Sequence, residues 1–88
     1  MQTKIKKTIA SIESVILEKN KRYGNSALEP INIFSKLEAN DGILQRLDDK
    51  ISRVKNSKEV RKNDAFDIIG YLILLSINNG WTFEDQLD

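Results

Sequence analysis

The sequence contains no cysteine and no histidine. Without cysteine the chain has no disulfide framework and no thiolate metal site, and nothing in it marks an oxidising compartment. Without histidine it lacks the commonest general base and the commonest ligand of transition metals. Any metal chemistry would therefore use carboxylates with Mg²⁺ or Mn²⁺. We expect no cofactor, and Mg²⁺ enters only if the protein is an enzyme.

A charge excess and a long hydrophobic run are also missing. The chain has 14 basic and 13 acidic residues, for a net charge of +1. A dedicated duplex-DNA binder needs surplus cations to neutralise phosphates, so we expect no duplex nucleic acid as partner. The longest apolar stretch, residues 64–77, is too short and interrupted for a bilayer span of about 20 residues. Residues 1–17 have the spaced apolar positions of an amphipathic helix, not a signal peptide, so we expect a cytoplasmic protein without a membrane partner.

The 88 residues are expected to form one all-α domain, residues 1–88. Steps of three and four predict a first helix over 3–23 that ends at Gly24. Its apolar stripe consists of Ile5, Ile9, Ile12, Ile16 and Tyr23. Residues 24–30 form a predicted turn, and a short helix is predicted from about 31 to 38. The Asn40-Asp41-Gly42 sequence is expected to end that short helix.

Two further helices complete a predicted small bundle of three main helices plus one short helix. The helix over 43–56 has an expected buried stripe of Leu44, Leu47, Ile51 and Val54. The last helix runs from about 58 to 79 and is closed by Gly80. Because it is apolar on nearly all sides, it should be central, with Gly70 allowing close approach of another helix. Trp81 and Phe83 are expected to fold back over the core as a lid.

The thin core of so small a chain favours self-association. A domain of this size buries only roughly 60–65% of the surface that its unfolded chain exposes. A central helix that is apolar on several faces is more than such a core can cover. We therefore expect a homo-oligomer.

Three groups of polar residues are candidates for function. The first is the end of the first helix and the turn after it, where cations, an aromatic ring and turn donors would suit a nucleotide. Its residues are Lys19, Tyr23, Gly24, Asn25 and Ser26. The alternative is an ordinary helix C-terminus, at which cations are favoured by the helix dipole. From these residues alone the alternative is preferred.

The second group, Arg46, Asp49, Lys50 and Arg53, lies on one helical face. Three cations within a narrow arc would attract an anion, and Asp49 can orient a guanidinium. A solvated face with ion pairs explains the same spacing equally well.

The third group, Asp64, Asp67 and Tyr71, begins the apolar helix. Carboxylates at i and i+3 suit a divalent cation, with Asp49, Asp64 and Asp67 as the ligands if a metal binds. Alternatively Asp64 is an early-turn residue favoured by the helix dipole, and Asp67 pairs with Arg46, Lys50 or Arg53. We prefer the ion pair, since a lone charge in a thin core is costly.

These groups lie in three sequence blocks that resemble a family of phage and prophage domains called nucleotide modification associated. The blocks are KNKRYGNS (19–26), RLDDKISRV (46–54) and NDAFDIIGYLILL (63–75). The resemblance covers roughly residues 17–76 and implies a small helical domain with a nucleotide-type ligand. The matching site positions are Lys19, Tyr23, Gly24, Asn25, Ser26, Arg46, Asp49, Lys50, Arg53, Asp67 and Tyr71. The resemblance favours ligand binding by the basic face.

The chain is also distantly similar to the MazG-type all-α nucleotide pyrophosphohydrolases. Their metal helix reads Glu-x-x-Asp before an apolar run, and Asp64-x-x-Asp67 is similar to that. Those enzymes also need a Glu-Glu-x-x-Glu box on a preceding helix. This sequence offers only Asp48 and Asp49 there, followed by Lys50, so one half of the metal box is missing.

Three hypotheses of function remain. The leading one is a nucleotide binder that does not hydrolyse its ligand, with Arg46, Lys50, Arg53 and the 23–26 turn as the binding residues. As a phage-type protein in the host cytoplasm, it could be a sponge that sequesters a cyclic di- or oligonucleotide immune signal. The first alternative is a Mg²⁺-dependent nucleotide pyrophosphohydrolase, although the missing half-box makes us lean against an enzyme. The second is a module that inhibits a host protein through Trp81, Phe83 and the acidic tail.

Overall fold

The computed structural model describes residues 1–23 and 36–87, and side chains within 1–22 and 39–87. It contains three α-helices, α1 (Gln2–Tyr23), α2 (Lys36–Ser57) and α3 (Lys62–Asn79), followed by a short 3₁₀ helix at Glu84–Leu87. There is no strand in these residues. The prediction of a small all-α bundle with three main helices is confirmed, but the short helix at Glu84–Leu87 is not the one that was predicted. The short helix predicted near 31–38 falls mostly outside the described residues.

An antiparallel hairpin of α2 and α3 forms the centre of the molecule. Ile43 and Leu47 on α2 are buried against Leu74 on α3. The half-buried side chains of Ile68, Tyr71 and Leu75 pack around this cluster. Burying such aliphatic side chains stabilises the hairpin by roughly 1.5–3 kcal/mol each.

Polar contacts at the two ends of the hairpin fix its direction and register. At one end Asn78 Nδ2 donates to Asn40 Oδ1 at 2.6 Å, and Asn40 Nδ2 donates to Asn79 Oδ1 at 3.0 Å. At the other end Lys50 Nζ lies 3.0 Å from the Asp67 carboxylate. Sliding one helix past the other by a turn would leave these half-buried polar groups without partners, which costs more than losing an exposed hydrogen bond.

Helix α1 packs on the opposite side of α3. Ile16 is buried at 8% exposure, and Ile12 beside it is half-buried. Both line clefts that α1 forms with Phe66 and Ile73 of α3. Helix α3 is therefore covered by α2 on one face and by α1 on another, which confirms its predicted central position.

The prediction that Asn40-Asp41-Gly42 ends a short helix is wrong, because α2 begins at Lys36 and runs through these residues without a break. Asn40, a poor residue for a helix interior, has its amide bonded to Asn78 and Asn79. Tertiary contacts of this kind override the local propensity.

The buried face of α2 also differs from the predicted stripe. Leu44 and Ile51 are 49% and 52% exposed, while Ile43 and Lys50 face α3 in their place. At 100° per residue the buried face is rotated by roughly 50° from the apolar stripe. Lys50 lies on this buried face beside Ile43, and its ammonium pairs with Asp64 and Asp67 of α3.

Helix α3 begins at Lys62, four residues later than predicted. Lys58 adopts the left-handed conformation with φ 56°, which ends the preceding helix and prevents a helical start at 58. Arg61 is the N-cap residue, and its backbone N–H donates to Asp64 Oδ2 at 3.4 Å. The predicted stop at Gly80 is confirmed. Gly80 has φ 67°, and the N–H groups of Gly80 and Trp81 donate to the carbonyls of Ile77 and Ser76, as in a Schellman motif.

The lid predicted from Trp81 and Phe83 does not form. Their side chains are 53% and 58% exposed, because the left-handed turn at Gly80 leads the chain away from the core. The tail is ordered locally instead. The Glu84 carboxylate accepts hydrogen bonds from its own backbone N–H and from the Thr82 side chain, which lower its pKa. Within the two described segments, no helix combines the length and the apolarity needed to cross a membrane.

Candidate functional site

A cleft of about 110 Å³ lies between α1 and α3. Its lining consists of Ile16, Lys19, Phe66, Asp67, Gly70, Tyr71 and Leu74. Lys19 Nζ lies 4.8 Å from the centre of the Phe66 ring, within the range of a cation–π contact. The cleft thus brings together three of the predicted site residues, Lys19, Asp67 and Tyr71, with aromatic surface beside a cation and a carboxylate.

Lys50 reaches this region from α2, but its charge is already matched. Its ammonium lies 3.0 Å from Asp67 Oδ2 and 3.4 Å from Asp64 Oδ1, and its side chain is 11% exposed. The hydrogen bond to Asp67 raises the pKa of Lys50, against the opposing effect of burial. The predicted ion pair between Asp67 and the basic stripe is present. The main role of Lys50 is therefore to link α2 to α3.

Arg46 and Arg53 are exposed on the flank of α2 next to Lys50. Neither forms a salt bridge within the part of the chain that is described. The positive charge of Arg53 lies near enough to Lys50 to oppose the rise in its pKa. Arg46 and Arg53 are displaced from the buried face of α2 in the same angular sense as Asp67 is from the buried face of α3. In an antiparallel pair, flanks displaced in the same sense lie on the same side, so the Arg46–Arg53 flank adjoins the Asp67 side of α3. Asp49 is exposed and lies further round α2.

The end of α1 contributes one further polar group. Glu18 pairs with Arg22 at 3.0 Å, an exposed i,i+4 contact that leaves Lys19 as the cation facing the cleft. The Asn20 side-chain oxygen is buried, with no hydrogen-bond partner among the described residues. The predicted ligands Tyr23 (its side chain), Asn25 and Ser26, together with Gly24, lie outside the residues that the structure describes.

The residues named for a metal site are not assembled into one. Asp64 and Asp67 both face Lys50, while Asp49 is on the exposed side of α2. Across residues 1–22 and 39–87, no three acidic side chains lie close enough to hold a metal ion together. A cation bound between Asp64 and Asp67 would have to displace the Lys50 ammonium.

Gly70 lines the cleft and does not make room for a neighbouring helix. A Cβ placed on Gly70 would meet no described atom within 4 Å, and the same is true of Gly42 on α2. The prediction of a close helix approach at Gly70 is therefore wrong. The missing side chain leaves open space in the cleft instead.

The sequence interpretation missed Phe66 and the Asn40–Asn78–Asn79 cluster. Phe66 comes one turn before Gly70 on the α1 side of α3, so its spacing could have indicated the aromatic wall of a cleft. The asparagine cluster joins residues 38 and 39 positions apart in the chain. No local pattern indicates such a pairing.

Comparison with known proteins adds no family to this description. No family model matches the chain, and neither a curated protein nor a solved structure matches it. The resemblance based on the three blocks in 19–75 stays a prediction.

Proposed function

We propose that the protein binds a nucleotide at the cleft between α1 and α3 and does not hydrolyse it. The observation that carries this proposal is the separation of charges around the cleft. Lys50 is neutralised by two carboxylates, whereas Lys19, Arg46 and Arg53 form no salt bridge within the described residues. Lys19 thus lines a small aromatic-walled space, and Arg46 and Arg53 lie outside its lining, on the neighbouring flank of α2.

The two parts of a nucleotide match two parts of this region. The ring of Tyr71 offers stacking surface to a base, which is worth about 1–3 kcal/mol per base at aromatic platforms. A base that stacks on the cleft face of Phe66 would take the place of the Lys19 ammonium. The guanidinium groups of Arg46 and Arg53 suit phosphate, because their planar donor pairs bind its oxygens bidentately. The cleft of about 110 Å³ is smaller than the roughly 300 Å³ of a typical whole-ligand pocket. The phosphates would therefore lie outside it, along the arginine flank.

The carboxylates are better placed to hold the site than to cleave a ligand. Asp67 and Asp64 are committed to Lys50, so neither is a free base near the cleft. A binder that keeps its ligand intact acts stoichiometrically. This supports the sponge hypothesis, in which the ligand is a cyclic di- or oligonucleotide signal.

Isothermal titration calorimetry against cyclic dinucleotides, cyclic oligonucleotides, mononucleotides and inorganic phosphate tests the proposal. Arg46→Ala and Arg53→Ala should each weaken nucleotide binding about tenfold, since a charge-assisted contact is worth roughly 1.5–3 kcal/mol. Lys55→Ala is the matched control, because Lys55 is an exposed cation on the opposite flank of α2. Lys50 is unsuitable for this test, because its removal also affects the fold.

A pair of glycine substitutions separates an effect on binding in the cleft from an effect on the stability of the fold. Gly42→Leu and Gly70→Leu both place a side chain in open space on a helix, and each should stabilise the fold by up to about 1 kcal/mol. Only Gly70 lines the cleft, so only Gly70→Leu should abolish binding. The proposal fails if no nucleotide binds at micromolar concentration, or if both variants bind normally.

Chromatography of the bound ligand distinguishes a binder from an enzyme. We expect the nucleotide to be recovered intact after prolonged incubation with Mg²⁺. Release of pyrophosphate that requires Mg²⁺ and disappears in Asp67→Asn would instead establish the pyrophosphohydrolase alternative.

The exposed tail supports a second candidate function, a protein-interaction module. Trp81, Phe83 and Leu87 are all more than half exposed, and acidic residues Glu84 and Asp85 lie among them. Large exposed aromatic residues of this kind are typical anchors at interfaces. Co-purification of a protein partner that is lost on truncation after Gly80 would support this function.

A further inference from the structure

The apolar stripe of α1 is only half covered. Ile5, Ile9, Ile12 and Ile16 lie within about 60° of one another on the helix. Ile16 is 8% exposed and Ile12 is half-buried, but Ile5 and Ile9 are 51% and 61% exposed. One continuous stripe therefore packs on α3 at its C-terminal end and projects into solvent at its N-terminal end.

An apolar groove runs beside the covered half of this stripe. It has a volume of about 270 Å³ and is lined by Ile9, Ile12, Glu13, Ile16, Leu17 and Ile73. Leu17 at its edge is 58% exposed, and Ile77, one turn beyond Ile73 on α3, is 56% exposed. Each copy of the protein thus carries both an exposed isoleucine ridge and an apolar groove next to it.

The spacing of the stripe makes it complementary to itself. The steps between its isoleucines are four, three and four residues, which read the same in both directions. Two α1 helices packed antiparallel about a two-fold axis between positions 10 and 11 therefore bring Ile5 opposite the partner's Ile16. The same axis brings Ile9 opposite the partner's Ile12. A closed, self-complementary contact of this kind is the commonest form of homodimer.

The charges beside the stripe agree with this pairing. Lys6 and Glu13 lie on the same flank of α1, about 20° apart, on the side of the groove. In the antiparallel pair, Lys6 comes within about two residues, or roughly 3 Å along the axis, of the partner's Glu13. Symmetry makes the pairing reciprocal. Lys7 and Glu18 point away from this flank, so no like charges meet across the seam.

We propose that this surface, the α1 seam, binds a second copy of the chain. The Ile5–Ile9 ridge of each copy fills the groove of the other, and two Lys6–Glu13 pairs flank the contact. A different protein would have to match both the four-three-four spacing and the reversed order of charges. The seam uses none of the cations proposed for nucleotide binding, although Ile16 lines both the cleft and the groove.

Sedimentation velocity over a concentration series tests the seam. The wild-type protein should form a dimer, and Ile9→Gln, at an exposed position, should leave it monomeric with unchanged helical circular dichroism. Lys6→Glu and Glu13→Lys alone should each weaken the dimer about tenfold, since each places like charges at both ends of the seam. Lys7→Glu is the control and should have no effect.

Mixing the two charge variants gives the decisive result. An equimolar mixture of Lys6→Glu and Glu13→Lys restores opposite charges at both contacts, so a heterodimer should form at wild-type strength. Within one helix these positions are seven residues apart, too far for the effect to arise inside a single copy. The proposal is overturned if the wild-type protein stays monomeric or if none of these substitutions changes its dimerisation. It is also overturned if Leu44→Gln on α2 abolishes the dimer instead.

Discussion

Lys50 occupies a position in the α2–α3 interface where hydrophobic periodicity would place an aliphatic side chain. Its methylene stem crosses the interface, and its ammonium bridges Asp64 and Asp67. Such a bridge adds little net stability over an apolar replacement, but it penalises any arrangement that leaves one member unpaired. Lys50 therefore contributes mainly to the choice of register between the two helices.

The raised pKa of Lys50 predicts an alkaline limit to its contribution. A folded pKa above the ordinary 10.5 means that this stabilisation is complete below about pH 10.5 and is lost as pH rises through the folded value. Lys50→Met should lower the free energy of unfolding at pH 7, because Asp64 and Asp67 would face each other without a cation. The difference from wild type should shrink above pH 10.5.

Urea denaturation at several pH values measures this difference. Lys55→Met is the control, because Lys55 is exposed and forms no salt bridge within the described residues, so its replacement should change the stability little. Combining Lys50→Met with Asp67→Leu should recover part of the lost stability, as apolar replacement of both partners commonly does. A Lys50→Met protein as stable as wild type at pH 7 would show that the bridge does not form.

At the scale of the elements, the joints between helices depend on backbone conformation more than on side-chain pattern. Lys58 ends α2 in the left-handed conformation, which costs a side-chain-bearing residue roughly 1–2 kcal/mol relative to the right-handed one. Ser57 supports the turn, since its hydroxyl bonds to the carbonyls of Val54 and Glu59. The turn forms although lysine at position 58 is less favourable in this conformation than glycine.

Lys58→Gly should therefore stabilise the protein by about 0.5–1 kcal/mol, because glycine adopts φ 56° without strain but gains freedom in the unfolded chain. The midpoint of urea unfolding measures the change. Lys58→Ala removes the same charge but keeps the Cβ, so it should bring no gain. Equal effects of the two substitutions would assign the change to charge and not to the backbone.

The elements themselves were largely predictable, but their faces were not. Gly80 predicted the end of α3, and the apolar composition of α3 predicted its central position. The buried face of α2 was predicted incorrectly, because hydrophobic periodicity places Ile51 in the core. It contains no information about the two aspartates that pair with Lys50 across the interface. For the cleft, Asp67 and its ion pair followed from the sequence, whereas the aromatic wall at Phe66 required the crossing of α1 over α3.

For the molecule as a whole, the uneven cover of the helices predicts uneven stability. Amides near Leu47 and Leu74 lie in the buried α2–α3 interface, whereas the first turns of α1 carry exposed side chains only. Local opening should therefore cost least near Ile5 and most near Leu74. Native-state hydrogen exchange at a concentration where the protein is monomeric should show this order. Equal protection of α1 and α3 in the monomer would contradict it.

The thin attachment of α1 has a consequence for the heat of ligand binding. Lys19 stands on α1, while Arg46 and Arg53 stand on α2, so a ligand held by both sets must fix α1 relative to the hairpin. The conformational entropy that α1 loses weakens the binding. Calorimetry should therefore show a favourable enthalpy offset by an unfavourable entropy. Any contact that restrains α1 in advance would tighten binding without touching the ligand.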